Sequence, residues 1–339
     1  MLRSPQVNNI RLITNTGGIS VRRVAVMESS NVRTVLVVGA GVMGHSIAQV
    51  FAQAGIEVDL TDLNEQALVR AIALIRTNLH TLAELGRVPE NDIPRITARI
   101  RTSTDLTASA QKADFVVEAV SEVPKIKREV FRQLDGICPE DAILASNTSS
   151  LNIFEIARVK SPQRLIAAHW FAPPHIIPLV EVVPGPDTDV RVVTFTTELM
   201  KRLGKKPVVL KKFVPSFIVN RIQRAIGKAV WEILEEGWST PEQIDLAVKT
   251  SLGIRLPIVG VVQSADFTGL DLVADIMRSR DRVVPLVEEK VKQGQLGAKT
   301  SRGIYDYGGR TEEEILIKRD KKYLTMLEHL EKIQAFDPI

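Results

Sequence analysis

The stretch Thr34-Val35-Leu36-Val37-Val38-Gly39-Ala40-Gly41-Val42-Met43-Gly44 decides the fold. A β-branched apolar run passes directly into G-x-G-x-x-G, and residues 43–54 continue at helical period. The glycines have separate tasks in such a strand–turn–helix unit. Gly39 permits the tight turn, Gly41 lets backbone come close to a pyrophosphate, and Gly44 lets the helix pack onto the sheet. The N–H groups of Val42 and Met43 stand at the positive end of that helix, where an anion is held. The next apolar strand, Glu57-Val58-Asp59-Leu60-Thr61, ends at Asp62, 18 residues beyond Gly44. A carboxylate there accepts both ribose hydroxyls of an adenosine and repels a 2′-phosphate, so the pattern predicts NAD rather than NADP.

Working outward, apolar residues at helical spacing (Leu68, Ala71, Ile72, Ile75, Leu79, Leu82, Leu85) predict a long helix ending at Gly86. A short helix over 89–100 turns back to strands at 100–103 and 115–119. A charged helix over 124–134 leads to a strand at 142–146, and further strands are expected at 165–169, 179–183 and 207–210, with a helix over 190–203. Alternation at this spacing predicts an α/β chain, a Rossmann-type, doubly wound and mostly parallel sheet over 31–211. From Pro215, read as a first helical position, the pattern becomes helical. An all-helical C-terminal domain over 212–308, for substrate and dimerisation, and a charged helical tail over 309–339 complete the division. The apolar faces of so small a helical unit are too numerous for it alone, which predicts a homodimer through that domain.

Composition narrows the function. Hydrophobic residues make up 45% and charged residues 25% of 339, with a net charge of +4. Residues 1–30 carry +3 of that charge, four arginines against Glu28, and the rest has no basic stripe with interleaved aromatics. A nucleic-acid partner is therefore not expected. Residues 1–30 lack periodicity and read as a disordered or mis-assigned extension. Either Met27 is the true start, with a cytoplasmic enzyme, or residues 1–26 are a mitochondrial transit peptide. No window of 18 apolar residues predicts a membrane span. The single Cys138 excludes an internal disulfide and reads as a small buried hydrophobe.

The chemistry is expected where charge interrupts apolar strands. Glu181 lies inside Leu179-Val180-Glu181-Val182-Val183, where a buried carboxylate requires a cation or donor. His169 closes Leu165-Ile166-Ala167-Ala168-His169, 12 residues upstream across a Pro-rich connection. A carboxylate on one imidazole nitrogen fixes the tautomer and makes the other a base for an alcohol proton. A hydrogen-bonded structural pair is the equal competitor on the residues alone.

Six ordered motifs sharpen the choice. Gly39–Gly44, Ser146-Asn147-Thr148-Ser149-Ser150, His169-Trp170-Phe171-Ala172-Pro173, Pro178-Leu179-Val180-Glu181-Val182, Phe217-Ile218-Val219-Asn220-Arg221 and Lys299-Thr300-Ser301-Arg302-Gly303-Ile304-Tyr305 together resemble the 3-hydroxyacyl-CoA dehydrogenases. That superfamily includes 3-hydroxybutyryl-CoA dehydrogenase, L-gulonate 3-dehydrogenase and λ-crystallin, and the likeness runs over 33–307. It implies an NAD-dependent oxidoreductase of the β-oxidation kind acting on a small-molecule substrate. It implies His169 as base, Glu181 as its orienting partner, and Ser149 and Asn220 on the reacting oxygen. It also implies that Glu122, Lys127 and Lys299 contact NAD. Read alone, Ser149 is equally a helix cap, since Asn-Thr-Ser-Ser before Leu151 is a capping signal.

The sequence also departs from the family. Ala172 stands where the motif has Asn, and Ser216 where it has Gly. The serine and lysine that contact CoA fall on Asn78 and Leu85, with Arg76 and Arg87 nearby as substitutes. The substrate is thus expected to be an L-3-hydroxyacyl-CoA of short or unusual chain. A free 3-hydroxy acid of the gulonate kind is the alternative, and a catalytically silent, crystallin-like NAD-binding protein the remote one.

Overall fold

The structure, a computed structural model, describes Ser29 and residues 32–337. The expected extension at 1–30, with its two readings, lies outside the described residues apart from Ser29. Two compact units divide the chain, residues 1–223 and 224–339.

The first unit is built on eight strands: β1 (Thr34–Val38), β2 (Glu57–Thr61), β3 (Ile100–Ser103), β4 (Phe115–Glu118), β5 (Ile143–Ser146), β6 (Leu165–Trp170), β7 (Leu179–Pro184) and β8 (Lys206–Val209). They lie in the order β3-β2-β1-β4-β5-β6-β7-β8. Every neighbouring pair is parallel except β6 with β7. β1 shows why these residues make a central strand. Val35 and Val37 enter one core, and Leu36 and Val38 enter another on the opposite face. A strand buried on both sides reads as a continuous apolar run, which is how it appears in the sequence. The first core is covered by α1 (Gly44–Gln53), α2 (Glu65–Glu84), α3 (Ile93–Ala98) and, further along the chain, α7 (Val190–Arg202). The second is covered by α4 (Leu106–Ala110), α5 (Pro124–Ile137) and α6 (Ile153–Ile156). Cys138 is buried in this second core, and burial pushes its thiol up to about 11.

The helix expected to begin at Pro215 begins later. The structure starts α8 (Val219–Glu235) four residues on, because Ser216 and Phe217 both take left-handed backbone, φ 64° and 50°. That conformation disfavours side-chain-bearing residues. Its tertiary cause lies at the candidate site described below.

The second unit is helical: α9 (Pro241–Ala247), a π-helical turn at Val248–Leu252, α10 (Gly253–Thr268), α11 (Leu270–Arg278), α12 (Pro285–Lys292) and α13 (Glu312–Lys332). α10 is broken at Gly260, three residues after an internal Pro257. Its organising centre is Asp266, which accepts hydrogen bonds from the N–H groups of Ile304 and Tyr305 and the hydroxyl of Tyr307. α13 carries the capping box written in Thr311 and Glu314 and buries one side chain, Ile315. Its other side chains are half-buried or exposed.

Candidate active site

The glycine turn closes tightly. A Cβ on Gly39, where φ is +102°, would lie 2.7 Å from the carbonyl oxygen of Ala119. One on Gly44 would strike the carbonyl of Gly39 at 1.7 Å, so Gly44 is required first by the turn's own closure and only then by packing on the sheet. Gly41 is different. A Cβ there meets nothing within 4 Å. That space opens on a cleft of about 720 Å³ lined by Gly41, Val42, Met43, Asp62, Leu106 and Ile126 among others. The N–H groups of Val42 and Met43 have no protein partner among the described residues. Asp62 stands at the end of β2 and pins the turn, its Oδ2 accepting the N–H of Ala40 (2.8 Å) and its Oδ1 that of Asn64 (2.9 Å). Open backbone at Gly41, unsatisfied amides at a helix start and a carboxylate at the next strand end fit a pyrophosphate flanked by an adenosine ribose.

Next along the sheet, β4 and β5 carry a buried network. Glu118, at the end of β4, has Lys127 Nζ on Oε1 (2.7 Å) and the Ser146 hydroxyl on Oε2 (2.6 Å). Lys127 also reaches Glu122 Oε2 at 3.1 Å. Glu122 Oε1 accepts from the hydroxyl of Thr148 and from the N–H groups of Ser149 and Ser150. Burial would raise the Glu122 carboxyl, but the Thr148 hydroxyl, Lys127 and the Ser149 amide together hold it below its ordinary value. Lys127 is almost wholly buried, its ammonium committed to these two carboxylates. The capping role open for Ser149 is not taken up: α6 starts only at Ile153, with Asn152 before it and no side-chain cap, and the Thr148 hydroxyl accepts the N–H of Leu151 at 3.0 Å within the preceding turn. Ser149 itself is exposed.

β6 and β7 pair antiparallel with His169 directly opposite Glu181, so both side chains leave the same face. His169 Nδ1 and Glu181 Oε2 are 2.8 Å apart. Glu181 Oε1 accepts the N–H groups of Ile218 and Val219, both at 3.0 Å. The left-handed pair Ser216 and Phe217 delivers those amides, which is why α8 begins where it does. Burial would push the Glu181 carboxyl up, but His169 and the two amides outweigh it and hold the group below the ordinary carboxylate value. An ionised carboxylate only accepts, so Nδ1 carries a proton, and in the neutral imidazole the lone pair is then on Nε2. The imidazole is in contact with the rings of Phe171 (centroids 4.4 Å apart) and Phe217 (5.4 Å). Asn220, on the first turn of α8, donates from Nδ2 to the carbonyl of Ser149 at 3.4 Å.

Ser149, His169, Glu181 and Asn220 thus fall within the first unit, joined by one run of hydrogen bonds from Lys127 through Glu122, the 148–150 turn, α8 and Glu181. Lys299 belongs to the second unit, where its ammonium meets the Asp271 carboxylate at 2.6 Å and holds that carboxyl below its ordinary value. Sequence reading passed over Glu118, a carboxylate ending the apolar strand Phe115-Val116-Val117, although the same argument singled out Glu181. It also passed over Asn147, whose Oδ1 accepts the N–H of Trp170 at 2.9 Å and so ties β5 to β6 beside His169. Among the described residues no group of His, Cys, Asp or Glu is arranged to hold a metal, and no helix is long and apolar enough to cross a membrane.

Residues 34–213 match the 3-hydroxyacyl-CoA dehydrogenase NAD-binding domain, and residues 217–307 match the C-terminal domain of the same enzymes. The chain belongs to the 3-hydroxyacyl-CoA dehydrogenase family. It is accordingly an NAD-dependent oxidoreductase, and the motif likeness stands on two independent domain matches. A probable 3-hydroxybutyryl-CoA dehydrogenase of Bacillus subtilis is 38% identical over 83% of this chain and 99% of its own length. The 5-formyl-3-hydroxy-2-methylpyridine 4-carboxylate 5-dehydrogenase of Mesorhizobium japonicum is 30% identical over 88% of this chain and 99% of its own. The crystal structure of a 3-hydroxyacyl-CoA dehydrogenase from Archaeoglobus fulgidus is similar with a TM-score of 0.73 and 31% identity, covering 88% of this chain and 99% of that one.

Proposed function

We propose that this member of the family oxidises an L-3-hydroxyacyl-CoA of short or unusual chain to the 3-oxoacyl-CoA, reversibly, with His169 as the proton acceptor. The observation that carries this reading is the two-sided use of Glu181. One oxygen fixes the His169 tautomer while the other is held by the start of α8, so the carboxylate stays ionised and the lone pair at Nε2 is the one group left to take a hydroxyl proton. Bound NAD would supply the hydride acceptor, held by Gly39, Gly41, Val42, Met43, Gly44 and Asp62. Ser149 and Asn220, brought together by their own hydrogen bond, orient the alcohol oxygen toward Nε2. Glu122 shapes the Ser149 turn from the cofactor side. Lys127 acts through Glu122, because its ammonium is buried between two carboxylates. In reduction the imidazolium returns the proton. Lys299 is assigned to the cofactor by resemblance alone.

A second reading is favoured by two positions, one on α2 and one at its C-terminal end. Asn78 is tied to Gln49 at 3.0 Å, and Leu85, which follows the helix, is an exposed apolar side chain where a phosphate contact is expected. Both suit a free hydroxy acid, and the Mesorhizobium relative is named for a free pyridine carboxylate. Steady-state NADH oxidation with acetoacetyl-CoA beside 3-oxo acids lacking CoA separates the two. The CoA reading expects a preference above ~10³ in kcat/KM, because the CoA handle contributes binding remote from the reacting carbon. Equal or reversed preference assigns the chain to free acids. His169→Ala is expected to keep NADH affinity and lose ~10²–10⁴ in turnover, and unchanged turnover removes His169 from the mechanism.

The assembly proposed is a cytoplasmic homodimer. α8 buries none of its side chains fully, and Ile222 and Ile226, four residues apart on one face, are exposed. A dimer covers such a face. Sedimentation that finds a monomer overturns it.

A further inference from the structure

Lys205 is a buried cation for which the proposed chemistry has no use. It precedes β8, is 7% exposed, and has no carboxylate partner among the described residues. Its ammonium donates to the carbonyl oxygens of Pro174 and of Ile177 (3.0 Å) and lies 5.4 Å from the centre of the Trp170 ring. An ammonium has three protons, and two carbonyls and one ring face receive them. All three acceptors belong to the segment 170–178, the last residue of β6 and the connection to β7.

That segment is tied on its other side to the cofactor-turn helix. Ser46 Oγ lies 2.8 Å from His175 Nδ1, and the His175 N–H donates to the same hydroxyl at 3.0 Å. The charged and titratable groups around Lys205 are His175 on the segment, Arg202 at the end of α7, His45 on α1 beyond His175, and Lys206 beside it in β8. None is an acid. An unpaired buried ammonium is costly, so stability alone would favour an apolar side chain of the same length here.

We propose that Lys205 is a positioning residue for His169, fixing the 170–178 segment so that Phe171 stays against the imidazole and Nε2 meets the alcohol. The proposal rests on the reading of His169 as base. The charge acts by drawing two carbonyl dipoles and a ring face onto one point, which a neutral side chain cannot do. Phe171, 4.4 Å from the His169 ring, is the segment's contact with the reacting group. Burial has pushed the ammonium down to about 8, so the clamp loses its charge as pH rises through that value.

Two measurements test this. Lys205→Met is expected to leave NADH affinity unchanged and to lower kcat by ~10-fold or more, since misplacement of a catalytic group by about 1 Å costs that much. In a Trp231→Phe, Trp238→Phe background, Trp170 reports the charge above its own ring. Its emission is expected to titrate with a midpoint near 8, with kcat/KM falling at the same midpoint. Lys205→Met in that background removes both transitions. Full turnover in Lys205→Met, an alkaline limb that survives the substitution, or a flat Trp170 emission between pH about 7 and 10 overturns the proposal. If Lys205→Met does not fold, the titration of the unsubstituted lysine decides. His169→Ala keeps the two readings apart. If it retains turnover the base assignment falls, and if it loses turnover while Lys205→Met does not, only the role of Lys205 falls.

Discussion

Glu118 and Glu181 are equally hidden from water, on β4 and β7 of one sheet, yet their surroundings push them in opposite directions. Glu118 is raised above its ordinary value, because burial outweighs Lys127, the Ser146 hydroxyl and the Val120 amide. Glu181 is also opposed by burial, though less heavily, and is lowered by His169 and two amides at the start of α8. The difference lies first in burial, which weighs more heavily on Glu118 than its partners can offset, and then in what those partners must do elsewhere. Lys127 is shared with Glu122, so Glu118 holds half a cation. The amides on Glu181 are fixed by backbone and shared with nothing. A carboxylate that must stay charged beside a base is served better by rigid dipoles than by a cation with a second partner.

The comparison is broken most decisively at Glu181. Glu181→Gln keeps an acceptor for the two amides but removes the charge, and turnover is expected to fall ~10²-fold or more with NADH affinity intact. Near-normal turnover would mean that Glu181 merely packs. A smaller effect concerns stability against pH. Glu181 has a depressed folded value, so its contribution is present above the ordinary 4.5 and disappears as pH falls through the folded value. Glu118 has a raised value, so the folded state keeps a proton that the unfolded chain has lost, and its contribution weakens as pH rises above 4.5. Thermal unfolding of Glu118→Gln and Glu181→Gln against the unsubstituted protein should therefore diverge with opposite slopes in acid. Parallel slopes would erase the distinction. The smallest effect sharpens it. Ser216→Gly relieves a left-handed serine beside Glu181 and is expected to raise stability by about 1 kcal/mol or less with kcat unchanged. A loss of stability would show that the serine side chain compensates the strain.

Much of this was legible before any coordinates. Val35 to Val38 announced a strand buried on both faces, the glycine turn followed it, and Asp62 closed the next strand as expected. The facing of His169 and Glu181 was foreseeable from two short strands with a Pro-rich connection. Three things were not. Pro215 looked like a helix start, but distant Glu181 claims the amides of Ile218 and Val219 and forces two residues left-handed first. Lys127 was marked by the family resemblance alone, and Lys205 drew no notice, yet both are buried.

The chain alone determined the order of the eight strands and of the helices between them other than the short α4 and α6, the cofactor turn and the presence of an acid–imidazole pair, because each is written in local periodicity or in a short run of residues with one physical use. Only the folded molecule decided where α8 begins, which carboxylate stays charged, and which lysines are hidden. Those outcomes depend on groups tens of residues apart competing for the same donors, and pattern along a sequence records burial and turn chemistry but not that competition.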